Sequence, residues 1–167
     1  MGAASTGPAA AELLALLDEQ EQRLRFDRLD DDVVWRLGCL LRERAVAGAK
    51  PFAVAIRRNG RTVFRCALPG SSADNDGWLD RKMAVVDRYG RSSWAVGTAF
   101  RVAGEEFDTH ARLDTRVFAA HGGAFPLLVR GVGCVGSVAV SGLPEAEDHE
   151  FVVSVLEDFL RAESDAR

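Results

Sequence analysis

The chain has 167 residues, 47% hydrophobic and 28% charged, with a formal net charge of −4. Such a length and balance make one domain with a real core and exclude a disordered chain. The acidic balance, with no basic stripe interleaved with aromatics, argues against nucleic acid as a partner. No apolar run approaches the roughly 18 residues that span a bilayer, so no membrane partner is expected.

The first residues lack the basic and apolar regions of a secretory signal, and a cytoplasmic location is expected. Met1-Gly2-Ala3-Ala4-Ser5-Thr6 fits the myristoylation pattern on paper. The plainer reading, a disordered tail of small residues over 1–10 ahead of a single domain over 11–163, is the one adopted.

Residues 9–25 read as a helix, with Leu13, Leu14, Leu16, Leu17 and Leu24 on an apolar face. A second helix follows Asp30-Asp31-Asp32, acids that suit the positive end of a helix dipole, and Gly48 is its expected stop. Residues 52–58 and 61–68 flank Asn59-Gly60, the dipeptide that best tolerates positive φ at both turn positions, and predict a hairpin. Ser71 or Ser72 caps a third helix that ends at Gly90. In 91–104, Trp94, Val96, Thr98, Phe100 and Val102 alternate as a strand would, while Ser92 or Ser93 could cap a short helix. After a polar stretch over 104–116, residues 119–130 and 132–141 read as strands joined at Gly131. Pro144 then opens a last helix with Glu145, Glu147 and Asp148 in its first turn. The elements do not alternate as βαβ, so an α+β fold is expected, a mostly antiparallel sheet with helices on its faces in profilin-like layering. Cys39, Cys66 and Cys134 form no C-x-x-C, and each falls in an apolar segment; all three are expected reduced and buried.

Two blocks give the chain a resemblance. One is Ala120-His121-Gly122-Gly123-Ala124-Phe125-Pro126 followed by Gly131-Val132-Gly133-Cys134-Val135-Gly136. The other is Val138-Ala139-Val140-Ser141-Gly142-Leu143-Pro144 with Glu147-Asp148-His149. With Leu68-Pro69-Gly70-Ser71-Ser72-Ala73-Asp74-Asn75-Asp76 and Arg81-Lys82, they make residues 12–162 resemble the heme-degrading-domain family. That family includes GlcG-like proteins, PduO C-terminal domains and stand-alone cytoplasmic members. The resemblance implies a five-stranded antiparallel sheet flanked by helices, homo-oligomers built from dimers, and a helix over 92–102, which we adopt over the alternation.

Gly131 to Gly136 match G-x-G-x-x-G, but they enter a strand rather than open a helix, and close backbone packing explains them better than a dinucleotide. His121 is the most informative residue. It precedes Gly122-Gly123, where missing side chains would let a ligand approach, and its imidazole suits heme iron or proton transfer; a hydrogen-bonded histidine at a strand end is the plain alternative. Adjacent residues on a helix point about 100° apart, so Asp148 and His149 do not pair naturally. An acidic helix start and a histidine packed under the sheet is the simpler account of those two. Asp74, Asn75 and Asp76 offer oxygens to a polar ligand beside Arg81 and Lys82, or only complement the helix dipole. His110 reads as solvated. Nucleophile elbow, zinc, P-loop and covalent-heme motifs are all lacking.

The leading expectation is an oligomeric small-ligand-binding protein, with heme held noncovalently. His121 is the iron ligand, Gly122, Gly123 and Phe125 lie beside it, and Asp74, Asn75, Asp76, Arg81, Asp148 and His149 line the site. The alternatives are a non-catalytic protein-interaction scaffold, and an enzyme on a small carbonyl or hydroxy-acid metabolite suggested only by the GlcG-like relatives. Whether there is catalysis stays open.

Overall fold

The computed structural model describes residues 8–166; the myristoylation pattern lies outside them. Pro8 opens helix α1 (Pro8–Arg23), so the helix begins inside the span expected as tail. Proline suits a first helical position because its missing N–H has no partner there anyway. The helix stops two residues short of expectation, because Arg25 and Phe26 form β1 (Arg25–Phe26). Asp30 caps α2 (Asp31–Ala47), accepting from Val33 N at 2.9 Å. The hairpin β2 (Ala53–Arg58) and β3 (Arg61–Ala67) turns where expected, with Asn59 and Gly60 at φ 49° and 77°. α3 (Ala73–Tyr89) starts with Asn75 Oδ1 accepting Ser72 N and ends at Gly90, left-handed at φ 65°.

Residues 93–102 are helical, as the resemblance implied, and form α4 (Ser93–Val102). Two local devices override the alternation. Ser92 Oγ accepts Ala95 N, and Glu21 of α1 accepts Ser92 N at 2.8 Å, so the helix N-terminus is capped from two sides. A one-turn helix, α5 (Phe107–His110), lies in the stretch read as a polar loop. β4 (Ala124–Val129) is shorter than expected, and residues 119–123 approach it as a loop. β5 (Gly133–Ser141) and α6 (Glu145–Asp165) follow.

The sheet order is β1-β4-β5-β2-β3, antiparallel except for the β1–β4 pair, which is parallel. The period of two sorts side chains by size. Val54, Ile56, Phe125, Leu127, Val138 and Val140 face one side and meet Leu37 and Leu41 of α2 with Val152, Leu156 and Phe159 of α6. Each large apolar side chain buried there contributes roughly 1.5–3 kcal/mol. Ala53, Ala55, Ala124 and Ala139 face the other side, and their small size lets Leu79, Met83 and Val86 of α3 settle on the sheet. A third cluster joins Val85, Val96, Phe107 and Ala120.

Gly136 lies in a strand, as the packing argument required, where a Cβ would stand 2.0 Å from Arg57 O. The cysteine expectation needs correction. All three are free thiols, but Cys39 and Cys134 are exposed and Cys66 is half-buried. Apolar neighbours in sequence do not decide which face of a helix or strand end a thiol takes.

Candidate functional site

The loop 119–123 carries His121, and four contacts fix its path. Gly97 on α4 has no Cβ, and one would stand 2.2 Å from Ala120 O. The buried Ser93 hydroxyl donates to His121 O, while its oxygen accepts Ala124 N at 3.2 Å. A Cβ on Gly122 would stand 2.2 Å from Glu145 O. Gly123, at φ 126°, leaves room for Lys82 Nζ and Val140 O, each 2.7 Å from where its Cβ would be. The expectation that these glycines open the backbone to a ligand is therefore corrected on the side-chain side: the vacated space holds this chain's own atoms.

The His121 side chain is 47% exposed, with Nδ1 3.4 Å from Glu145 Oε2. The same oxygen accepts Gly122 N at 3.2 Å. A carboxylate in that place favours the proton on Nδ1, and Nε2 makes no hydrogen bond among the described residues. Burial alone would push the Glu145 carboxyl up, but the bonds from His121 and Gly122 outweigh it and hold the group below its usual range. Trp78 sets its ring edge-on to the imidazole at 5.4 Å, and the Arg81 guanidinium lies 4.0 Å over the Trp78 ring.

His121 stands between two clefts. One, of about 240 Å³, lies between the start of α3 and the start of α6 and includes Asp74, Asn75, Trp78, Lys82, Glu145 and Asp148. In its wall Lys82 Nζ meets Asp148 Oδ2 at 2.8 Å, both side chains almost fully buried. Asp148 Oδ1 accepts Leu143 N at 2.9 Å. Burial pushes the Asp148 carboxyl above its ordinary range, only partly offset by Lys82 and the Leu143 and Gly142 N–H groups. The other cleft, of about 200 Å³, lies between α4, α5 and the loop, and includes Gly97, Arg101, Phe107 and Ala120.

The structure thus brings together His121, Gly122, Gly123, Asp74, Asn75, Arg81 and Asp148 of the expected residues. Three others are corrected. Phe125 is wholly buried on the α2/α6 side, where strand alternation sends it. His149 is 1% exposed; its Nε2 bonds Gln20 Oε1 at 2.8 Å and its ring packs on Trp94 and Phe125. Asp76 is held by Arg65 at 2.8 Å, away from the cleft. As expected, Asp148 and His149 do not pair. His110, exposed, bonds among the described residues only within its own turn. Sequence reasoning placed Glu145 among the acids of a helix start and gave Trp78 and Arg101 no part in the site. Nothing in their spacing marks contacts that arise from folding distant segments together.

The model of the HbpS-like haem degrading protein family matches residues 29–157. A UPF0303 protein of Streptomyces coelicolor is 51% identical over 160 residues, covering 96% of this chain and 99% of that protein. Among solved structures, the Ybr137w protein superposes with a TM-score of 0.82 at 28% identity, covering 90% of this chain and 91% of that one. A PduOC:heme complex superposes with a TM-score of 0.63 at 17% identity, covering 77% and 93%, a likeness of fold alone. The family match spans most of the chain and the relative is near-complete in length, so this chain belongs to the HbpS-like haem degrading protein family.

Proposed function

We propose that the protein binds heme or a similar planar tetrapyrrole noncovalently, with His121 Nε2 as the iron ligand. The observation that carries this reading is the Glu145 contact, which ties up His121 Nδ1 and presents the opposite nitrogen on a half-exposed ring. Ligating histidines are commonly oriented this way by a carboxylate on the second nitrogen. The family match and the heme complex of a protein with this fold support the choice of ligand. When bound, heme supplies an iron centre for electron and dioxygen chemistry. The chain's own residues have simpler tasks. Ser93 holds the His121 backbone, Glu145 sets the ring, and Trp78 packs against its edge.

The donor set fits an axial ligand, but one protomer supplies little envelope. The clefts of about 240 and 200 Å³ beside His121 both fall below the roughly 300 Å³ at which drug-sized pockets begin. A homo-oligomer built from dimers is therefore part of the proposal, the second copy covering the exposed face of the ligand; a cytoplasmic location is proposed alongside it. A hemin titration followed by absorbance tests it. The wild type should show a saturable Soret shift at one heme per protomer or per dimer. His121→Ala should weaken it roughly tenfold or more, the scale of about 1.4 kcal/mol. No shift at micromolar protein would overturn heme binding; a shift indifferent to His121 would overturn the ligand assignment.

A further inference from the structure

Arg101 sits in the last turn of α4 and lines the second cleft, with its guanidinium Nη2 donating to Thr98 Oγ1 at 2.7 Å. Thr98 is fully buried, so one edge of the guanidinium is anchored to a fixed part of the helix. Among the described residues Arg101 forms no ion pair, its charge reaching Glu145 only at longer range, whereas Arg57, Arg65 and Arg91 are each held by two carboxylates. Its other N–H donors make no hydrogen bond among the described residues, and Phe107, Ala120 and His121 line the same cleft. A planar fork of donors anchored at one edge, in a cleft that Phe107, Ala120 and His121 also line, matches the two oxygens of a carboxylate. Glu106 and Asp108 also line this cleft, but both are exposed. Solvent screens their repulsion, and short-range pairing with the fork decides the outcome.

We propose that the cleft between α4, α5 and His121 is a carboxylate subsite in which Arg101 pairs with the anion. The carboxylate belongs either to a propionate arm of the tetrapyrrole held at His121, which rests on the function proposed above, or to a free short-chain acid, which does not.

Two probes separate these sources. The first compares hemin with hemin dimethyl ester, which keeps the ring and the iron but has no free carboxylate. For the propionate source, wild type should prefer hemin roughly tenfold, the scale of one charge-assisted bidentate pair. Arg101→Gln should abolish the preference without moving the Soret maximum, since His121 remains. Arg101→Lys, which keeps the charge and loses the fork, should recover only part of it. The second probe is calorimetry with sodium propionate and succinate at millimolar concentration, without heme. Saturable heat in wild type that is lost in Arg101→Gln would assign the free acid. Among the described residues the Arg101 side chain hydrogen-bonds only Thr98, and thermal midpoints of the unliganded variants close to wild type would confirm that they fold. Heme binding with no ester preference, together with no heat from either acid, would overturn the subsite and leave the tetrapyrrole reading standing. No heme binding with Arg101-dependent acid binding would do the reverse.

Discussion

Lys82 and Asp148 meet at 2.8 Å with side chains 4% and 0% exposed, and the pair ties α3 to the first turn of α6 beside the His121 loop. The charges are out of water, so each depends on the other; removing one partner of such a pair typically costs about 3–5 kcal/mol, while replacing both with apolar groups is often near neutral. Lys82→Met should therefore destabilise the protein by about 3–5 kcal/mol at pH 7 in urea unfolding, and Lys82→Met with Asp148→Leu should recover most of the loss. Burial already pushes Asp148 up, so in the single variant its carboxyl should take a proton readily, and the deficit should shrink towards pH 5. A double variant no more stable than the single one would show that the pair matters through geometry, by positioning Leu143 N and Gly123, rather than through charge.

The helix α3 owes its place to what the sheet beneath it lacks. Ala53, Ala55, Ala124 and Ala139 are all fully buried under Leu79, Met83 and Val86, with no side chain beyond Cβ to hold the helix away. Ala55→Leu adds bulk to that interface and should cost about 1–3 kcal/mol, read as a lower thermal midpoint. Ile56→Val, one residue on and facing the opposite core, should cost about 0.5–1.5 kcal/mol through a small cavity. Equal losses would mean that α3 tolerates being lifted. This asymmetry, like the hairpin at Asn59-Gly60 and the three longest helices, is legible in the sequence because a period of two or 3.6 residues repeats often enough to be counted. β1 is not legible, since two residues carry no period and parallel pairing with β4 is settled at long range. In α4 the alternation of Trp94, Val96 and Thr98 points to the wrong element, and the Ser92 cap with Glu21 decides for a helix. The candidate site divides likewise. His121 and its glycines stand out as a local block, whereas Glu145, Trp78 and Arg101 join it from three other helices and leave no local signal.

For the molecule as a whole, the response of stability to acid follows from groups that the fold moves away from their ordinary pKa values. Burial of His149 between Trp94, Phe125 and Gln20 lowers its pKa from 6.5 to about 4. Between those values the unfolded chain binds a proton that the folded one refuses, so this contribution is fully present above about pH 6.5 and lost as pH falls towards 4. A displacement of that size is worth about 3 kcal/mol. Glu145, held below its usual range by His121 and Gly122 against the effect of burial, acts in the same direction at lower pH. Its stabilising contribution is present above its unfolded pKa and lost as pH falls through the folded one. Asp148, pushed up by burial, acts oppositely: its folded form gains a proton first, so stability is recovered as pH falls through its folded pKa. Among the shifts described, that of His149 falls in the window between pH 6.5 and 5, so the unliganded protein should lose stability across it in urea unfolding. His149→Phe keeps an aromatic ring in the place and removes the titration, so it should flatten the slope there whatever it does to the absolute stability. A variant with the wild-type slope would mean that His149 binds its proton alike in the folded and unfolded states, and that another group carries the acid response.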